Sequence, residues 1–400
     1  MRKLLAAALC VLALPSRAAQ TLPGGRCRLV LTNYYAHQDL PSIDVPHIFD
    51  EDSGAALLNS LGTPTALDLR PRDVANFSPG LKFSGSYDVF STVPQLDCGI
   101  TDRLSITAAW PWFDSAAVHV RLEANSSILG YNIKYDPRQP VSLDNSPISL
   151  GTGSVISGGT EGAQAFLTNY FGYQRFQDFH DHGTGDPLLA ATYGLVQQPG
   201  VDLNLTALAQ IPLGRIADPD NPFAIPFSDG HVKLSGWAKL SLHDSPPYVI
   251  DFSLRYWYNF RDHPTLRIYR LSAVPLAGAD SKEQVSRLQG AQINGLVTLT
   301  RTFFDGRLRP SLEFGYLREQ PDSIRGSSYV SHYDAVIANT GRNLFSGEVA
   351  LQYTSVDAFV ARQAFAPVQV TYSIRVQVPD RGLFQGIAQI LMTLQLATFF

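Results

Sequence analysis

Two stretches of this chain gather side chains that could do chemistry. Ser228-Asp229-Gly230-His231 sets a hydroxyl, a carboxylate and an imidazole close together, and Asp178, His180, Asp181 and His182 form a local cluster of metal-capable groups. Catalysis needs a nucleophile, a base and an orienter within mutual reach. Ser228 lies in a turn-like stretch with no nucleophile-elbow pattern around it, so a lipid-modifying enzyme is the weakest reading and the expectation is no enzyme. The acidic and histidine cluster, and a looser one of His37, Asp39, Asp44, His47, Asp50, Glu51 and Asp52, show no recognised ligand spacing. Both read as solvated loops, with weak divalent bridging of lipopolysaccharide as their functional version. No metal and no cofactor is expected.

A second set of charged and aromatic side chains is spread along extended segments at two-residue steps. Lys82, Asp88, Lys233, Trp237, Lys239, Asp251, Arg255, Trp257, Arg309, Glu313, Glu348 and Arg375 all fall on the polar face of alternating segments. From Tyr248 to Phe260, Ile250, Phe252, Leu254, Tyr256 and Tyr258 share one face, and Asp251, Ser253, Arg255, Trp257 and Asn259 share the other. Val368 to Val378 sorts the same way. If the polar faces turn inward, these residues line a lumen of mixed sign that discriminates weakly by charge. Arg255 with Glu313, or Arg375 with Glu348, would then bridge neighbouring strands. Trp237 and Trp257 would offer stacking surface to an aromatic solute or pack against an internal plug.

The elements that must position them are strands of about 9 to 11 residues, the length a tilted membrane strand needs. They read at 26–36, 80–98, 103–113, 187–198, 202–213, 231–243, 248–259, 288–304, 307–317, 343–354, 366–378 and 385–400. Turns at Thr101-Asp102, Pro199-Gly200, Asp244 to Pro247 and Asp305-Gly306 separate hairpin partners. Long stretches at 37–79, 114–186, 214–230, 260–287 and 319–342 alternate with them, giving the short-rim, long-rim asymmetry of outer-membrane barrels. The connections 355–365 and 379–384 depart from that length rule. Without water in the hydrocarbon, every backbone ladder must be paired and the sheet must close. The expected fold is therefore all-β: a transmembrane, antiparallel, up-and-down barrel of about twelve strands spanning 20–400.

Composition agrees. Charged residues make up 16% and aromatics 11%, with 31 Gly and 26 Pro, against about 25% charged in ordinary soluble domains. A net charge of -4 gives no argument for nucleic acid. Arg2 and Lys3, the apolar run Leu4 to Leu14 and the small-residue segment Pro15 to Ala19 read as a secretory signal, 1–19, which removes Cys10. In the oxidising compartment beyond, the remaining cysteines, Cys27 and Cys98, either pair across neighbouring strands or stay as free thiols. A bridge there would stabilise by ~4 kcal/mol in the chain-entropy model. The tail Leu383 to Phe400 sorts better as a strand than as a helix, and its final Phe400 resembles the signal by which barrel-insertion machinery recognises such chains.

Between Leu81 and Phe260 the chain resembles an outer-membrane family named for the meta-pathway of phenol degradation. The resemblance is carried by Gly99 to Ser105, Gly183-Thr184-Gly185-Asp186-Pro187, Ile211 to Arg215, Asp218 to Asn221 and Ser228 to His231, in that order. It implies a barrel related to transporters of hydrophobic compounds. The expectation is a bacterial outer-membrane channel for passive uptake of small hydrophobic or aromatic compounds, in contact with outer-membrane lipid and lipopolysaccharide. The rival is a structural or surface-interaction barrel with a plugged lumen. Segment 37–79 reads as plug or outer loop, and in 114–186 Phe166, Tyr170 and Tyr173 fall at helical spacing, as in a short lid or an external loop lying on the lipid headgroups.

Overall fold

In the computed structural model the described residues are 21–45, 81–124, 172–221, 224–243, 247–268, 281–338, 340–379 and 389–400, with short pieces within 130–168. The signal at 1–19 and most of the plug-or-loop stretch, 46–79, lie outside them.

Fourteen extended segments form one antiparallel sheet. They are β1 (Cys27–Val45), β2 (Leu81–Thr101), β3 (Leu104–Ala109), β4 (Trp112–Ala124), β5 (Phe179–Thr184), β6 (Leu188–Gln198) and β7 (Val201–Gln210). The rest are β8 (Lys233–Leu242), β9 (Tyr248–Asn259), β10 (Gln292–Arg301), β11 (Leu308–Glu319), β12 (Arg342–Thr354), β13 (Val368–Pro379) and β14 (Gln389–Phe399). Because β3 with β4, and β5 with β6, each make one interrupted wall strand, the wall has twelve strands. β1 pairs with β2 on one side and β14 on the other, so the sheet closes on itself. At that seam the Cys27 N–H donates to the Phe400 carbonyl at 2.8 Å and the Phe400 N–H returns to the Cys27 carbonyl at 2.9 Å. No helix among the described residues is long and apolar enough to cross a membrane.

Alternation decides which face is which. On β9, Tyr248, Ile250, Phe252, Leu254, Tyr256 and Tyr258 are exposed, while Ser253, Arg255, Trp257 and Asn259 are buried. The tail is the strand β14, with Ile390, Met392, Leu394 and Leu396 outward and Leu391, Gln395 and Ala397 inward. An apolar outer belt against a polar inner face is the pattern of a barrel that meets lipid outside.

Short connections gather at the rim that holds Cys27 and Phe399, including the turn at Pro199-Gly200, where Gly200 supplies φ of +88°. The connection 355–367 belongs to this rim and is lengthened by a single helical turn, Val356–Val360. The far rim carries the long loops. Two expectations change there. β1 continues to Val45 instead of ending near 36, and the third wall strand continues through β4 to Ala124 instead of ending at 113.

Two neighbouring wall strands break at one height beside an unbroken third, β2, and all three carry a proline there. Pro94 in β2 faces the gap between β3 and β4 at Trp110-Pro111, which faces the gap between β5 and β6 at Gly185 to Pro187. A proline has no N–H to give the ladder, so three of them at one level interrupt it. Two bonds span the breach: Trp110 N–H to the Pro94 carbonyl at 3.1 Å and Gly185 N–H to the Pro111 carbonyl at 2.8 Å.

Candidate functional site in the barrel interior

The residues placed on the polar faces meet mostly inside the wall. Lys233, Trp237, Lys239, Arg255, Trp257 and Glu313 are buried on inward faces; Asp251, Glu348 and Arg375 are half-buried there. Asp88 is a correction. On β2 the inward residues are Tyr87, Val89, Ser91, Val93, Gln95 and Asp97, so Asp88 faces out, where it accepts from the Tyr35 hydroxyl at 2.6 Å and contacts His37 Nδ1 at 2.9 Å. Lys82 pairs with Asp44 in the ladder, and its side chain is outside the described residues. Arg309 sits at the short rim, where Nε donates to the Gly306 carbonyl at 2.9 Å.

Glu313, Glu348 and Arg375 lie side by side on β11, β12 and β13, Glu313 directly opposite Glu348 and Glu348 directly opposite Arg375. Arg375 clamps both: Nε to Glu348 at 2.6 Å and Nη2 to Glu313 at 2.7 Å. Thr298 donates to the second oxygen of Glu313 at 3.0 Å. Glu313 is thus held by Arg375 and not by Arg255, contrary to the pairing suggested by sequence. Arg255 instead sits directly opposite Trp237 on β8, its guanidinium carbon 4.1 Å from that ring's centre and 5.8 Å from Trp257's. A guanidinium over an indole face gains from the ring quadrupole. Lys239 pairs with Asp251 at 3.1 Å, and Lys233 reaches Asp229 in the loop beyond β8.

Two further interior clusters escaped the sequence reading. Arg28 meets Asp97 at 2.7 Å with Gln95 and Thr107 also donating to that carboxylate; Arg342 meets Glu319 at 2.9 Å. The first was findable. Cys27 and Cys98 are directly opposite, 4.2 Å apart at Cα and bonded, and one antiparallel step along puts Arg28 opposite Asp97.

The Ser228 and His231 side chains are not brought together. Ser228 Oγ donates to Asp186 Oδ2 at 2.9 Å, while His231 Nδ1 lies 3.2 Å from the Asp229 carbonyl and 3.6 Å from Asp262. Asp186 also accepts from Gln210 Nε2 at 2.9 Å and from the N–H groups of Leu213 at 3.0 Å and Gly214 at 2.9 Å. Three of the sequence stretches singled out above therefore converge on one buried carboxylate at the wall breach. A Cβ on Gly214 would come within 2.7 Å of the Phe227 carbonyl, so only glycine fits. Phe227 in turn stacks on the inward Phe113, ring centres 4.7 Å apart.

The histidine and aspartate cluster disperses. Asp178 accepts the Val120 N–H and meets His119 at 3.1 Å, and Asp181 pairs with Arg215. Among the described residues no three such groups are arranged to hold a metal.

Over the far rim, the described part of the expected lid or loop packs against the barrel. Gln164, Leu167 and Thr168 are helical, Leu167, Tyr173 and Phe176 are buried, and Phe166 and Tyr170 lie outside the described residues. Arg267 covers the Tyr173 ring at 4.0 Å and donates to the Gly172 carbonyl at 2.6 Å. Asp220 accepts from Arg267 at 2.7 Å and Lys282 at 2.6 Å. Burial opposes ionisation of Asp220, but those donors and their charges outweigh it and hold its carboxyl below the usual range.

The architecture can be set against solved structures. A crystal structure of an outer membrane channel from Pseudomonas putida F1 superposes with a TM-score of 0.52 at 13% identity, covering 97% of this chain and 100% of that one. The fold is that of an outer-membrane barrel. A Pseudomonas aeruginosa FadL homologue (TM-score 0.35, 9% identity, 94% of this chain and 90% of that one) and a mutant of TodX, a monoaromatic hydrocarbon channel (0.36, 10%, 94% and 91%), match more loosely. No family model matches the sequence, and no curated protein does.

Proposed function

We propose that this barrel is an outer-membrane channel for passive uptake of small hydrophobic or aromatic compounds. The observation that carries the reading is the inner wall of β7, β8 and β9. There Asn204 Oδ1, Ser235 Oγ, Trp237 Nε1, Ser241 Oγ and Asp251 Oδ1 have no hydrogen-bond partner among the described residues, beside two inward indole rings. Buried polar atoms need hydrogen-bond partners, and on this wall water or a solute in the lumen can supply them. The resemblance to the phenol meta-pathway family agrees with an aromatic solute. The exposed terminal Phe400 and the apolar belt fit recognition by insertion machinery and contact with outer-membrane lipid and lipopolysaccharide.

Single-channel steps in planar bilayers, or faster swelling of liposomes in small uncharged solutes, are the expected result. A barrel that inserts and stays silent would be the plugged, structural one instead.

A further inference from the structure

Among the described residues most cations on the inward wall meet a carboxylate. Arg28, Lys233, Lys239, Arg342 and Arg375 each contact a carboxylate, and Arg309 turns to a backbone carbonyl at the short rim. Arg255 has no carboxylate within ion-pairing distance among the described residues, although the residue is only 8% exposed. Its contacts are the Trp237 and Trp257 rings. Burying a cation without an anion is costly, and an indole face recovers only part of that cost.

We infer that Arg255, Trp237 and Trp257 form a binding site in the lumen for the carboxylate of a small aromatic acid. A guanidinium stacked on a ring keeps its donors directed outward in its own plane. That fork matches the two oxygens of a carboxylate, which a lysine ammonium at the same place would meet only as a point charge. Trp257, two residues along the same strand, adds a second aromatic surface beside the guanidinium for the body of the ligand. Glu313 acts on Arg255 through space without contacting it, and Arg375 holds the carboxylates of both Glu313 and Glu348. The inference deepens the channel reading and rests on it for the route by which the ligand arrives.

Benzoate, with benzyl alcohol as its uncharged counterpart, is titrated calorimetrically into the full-length barrel in detergent, and the same barrel is tested for conductance. Benzoate should bind more tightly than benzyl alcohol. Arg255→Gln should weaken benzoate by about tenfold or more and leave benzyl alcohol unchanged. Arg255→Lys, which keeps the charge and loses the fork, should fall between, and serves alone if the Gln variant does not fold. Equal binding of the two probes to the wild type, or benzoate binding that neither variant weakens, would overturn the site. Chloride displacing benzoate at equal concentration would reduce it to an unselective anion site and overturn the aromatic part. Arg255-dependent benzoate binding in a barrel without conductance would remove the channel reading and keep the site; conductance without such binding would do the reverse.

Discussion

The hydroxyl of Ser228 donates to Asp186 across 42 residues of chain, at 2.9 Å, on the edge of the gap where two wall strands break. That bond ties the loop beyond β7 to the wall. Asp186→Ala would remove the acceptor shared by the Gln210 amide, the Leu213 and Gly214 N–H groups and the Ser228 hydroxyl. It should destabilise the barrel by about 3 kcal/mol or more, read by urea unfolding in detergent, while Ser228→Ala costs about 1 kcal/mol. If the two variants are equally stable, Asp186 is not the organising group.

Arg375 holds apart two carboxylates that face each other in the ladder. Arg375→Leu leaves Glu313 buried and Glu348 half-buried beside it, both without their arginine, and should cost about 3 kcal/mol. Adding Glu313→Gln and Glu348→Gln should restore most of the loss. Failure of the triple variant to recover, measured by thermal unfolding, would show that packing of the arginine stem matters more than its charge.

At the outer mouth, Arg267→Ala removes both the cover of Tyr173 and the bond to Gly172. Limited proteolysis should then cut the 163–176 segment sooner, with the barrel itself still resistant. Acid should act on the same junction through Asp220. Its carboxyl is depressed in the folded protein, so its contribution is present above the unfolded carboxylate pKa of about 3.9 and is lost as pH falls below that through the folded value. Protease sensitivity of the wild type should therefore rise below about pH 4 and stay flat from pH 5 to 8; a rise already at pH 6 would implicate a histidine instead.

The Cys27–Cys98 bridge closes a loop of 71 residues at the short rim. Reduction, or the double change to Ser, should lower unfolding stability by about 4 kcal/mol without changing the strand content seen by circular dichroism. No change on reduction would mean that the β1–β2 ladder alone fixes that end.

The period-two alternation and the turn residues determined, without any tertiary information, that the chain is an antiparallel barrel of twelve wall strands and which side chains turn inward. This works because a strand has only two faces and a membrane allows no unpaired ladder, so polarity at each step has one solution. Tyr248 to Phe260 and the tail are legible residue by residue for that reason. Asp88 was misplaced because its neighbours Tyr87 and Val89, apolar but inward, break the rule that polar means lumen. Only the assembled barrel decided that Arg375 takes Glu313 as well as Glu348, that Arg255 meets two indoles and no carboxylate among the described residues, and that Asp186 gathers Gln210, Leu213, Gly214 and Ser228. Those partners depend on register across several strands and on where proline breaks the ladder, and neither is a property of any one segment.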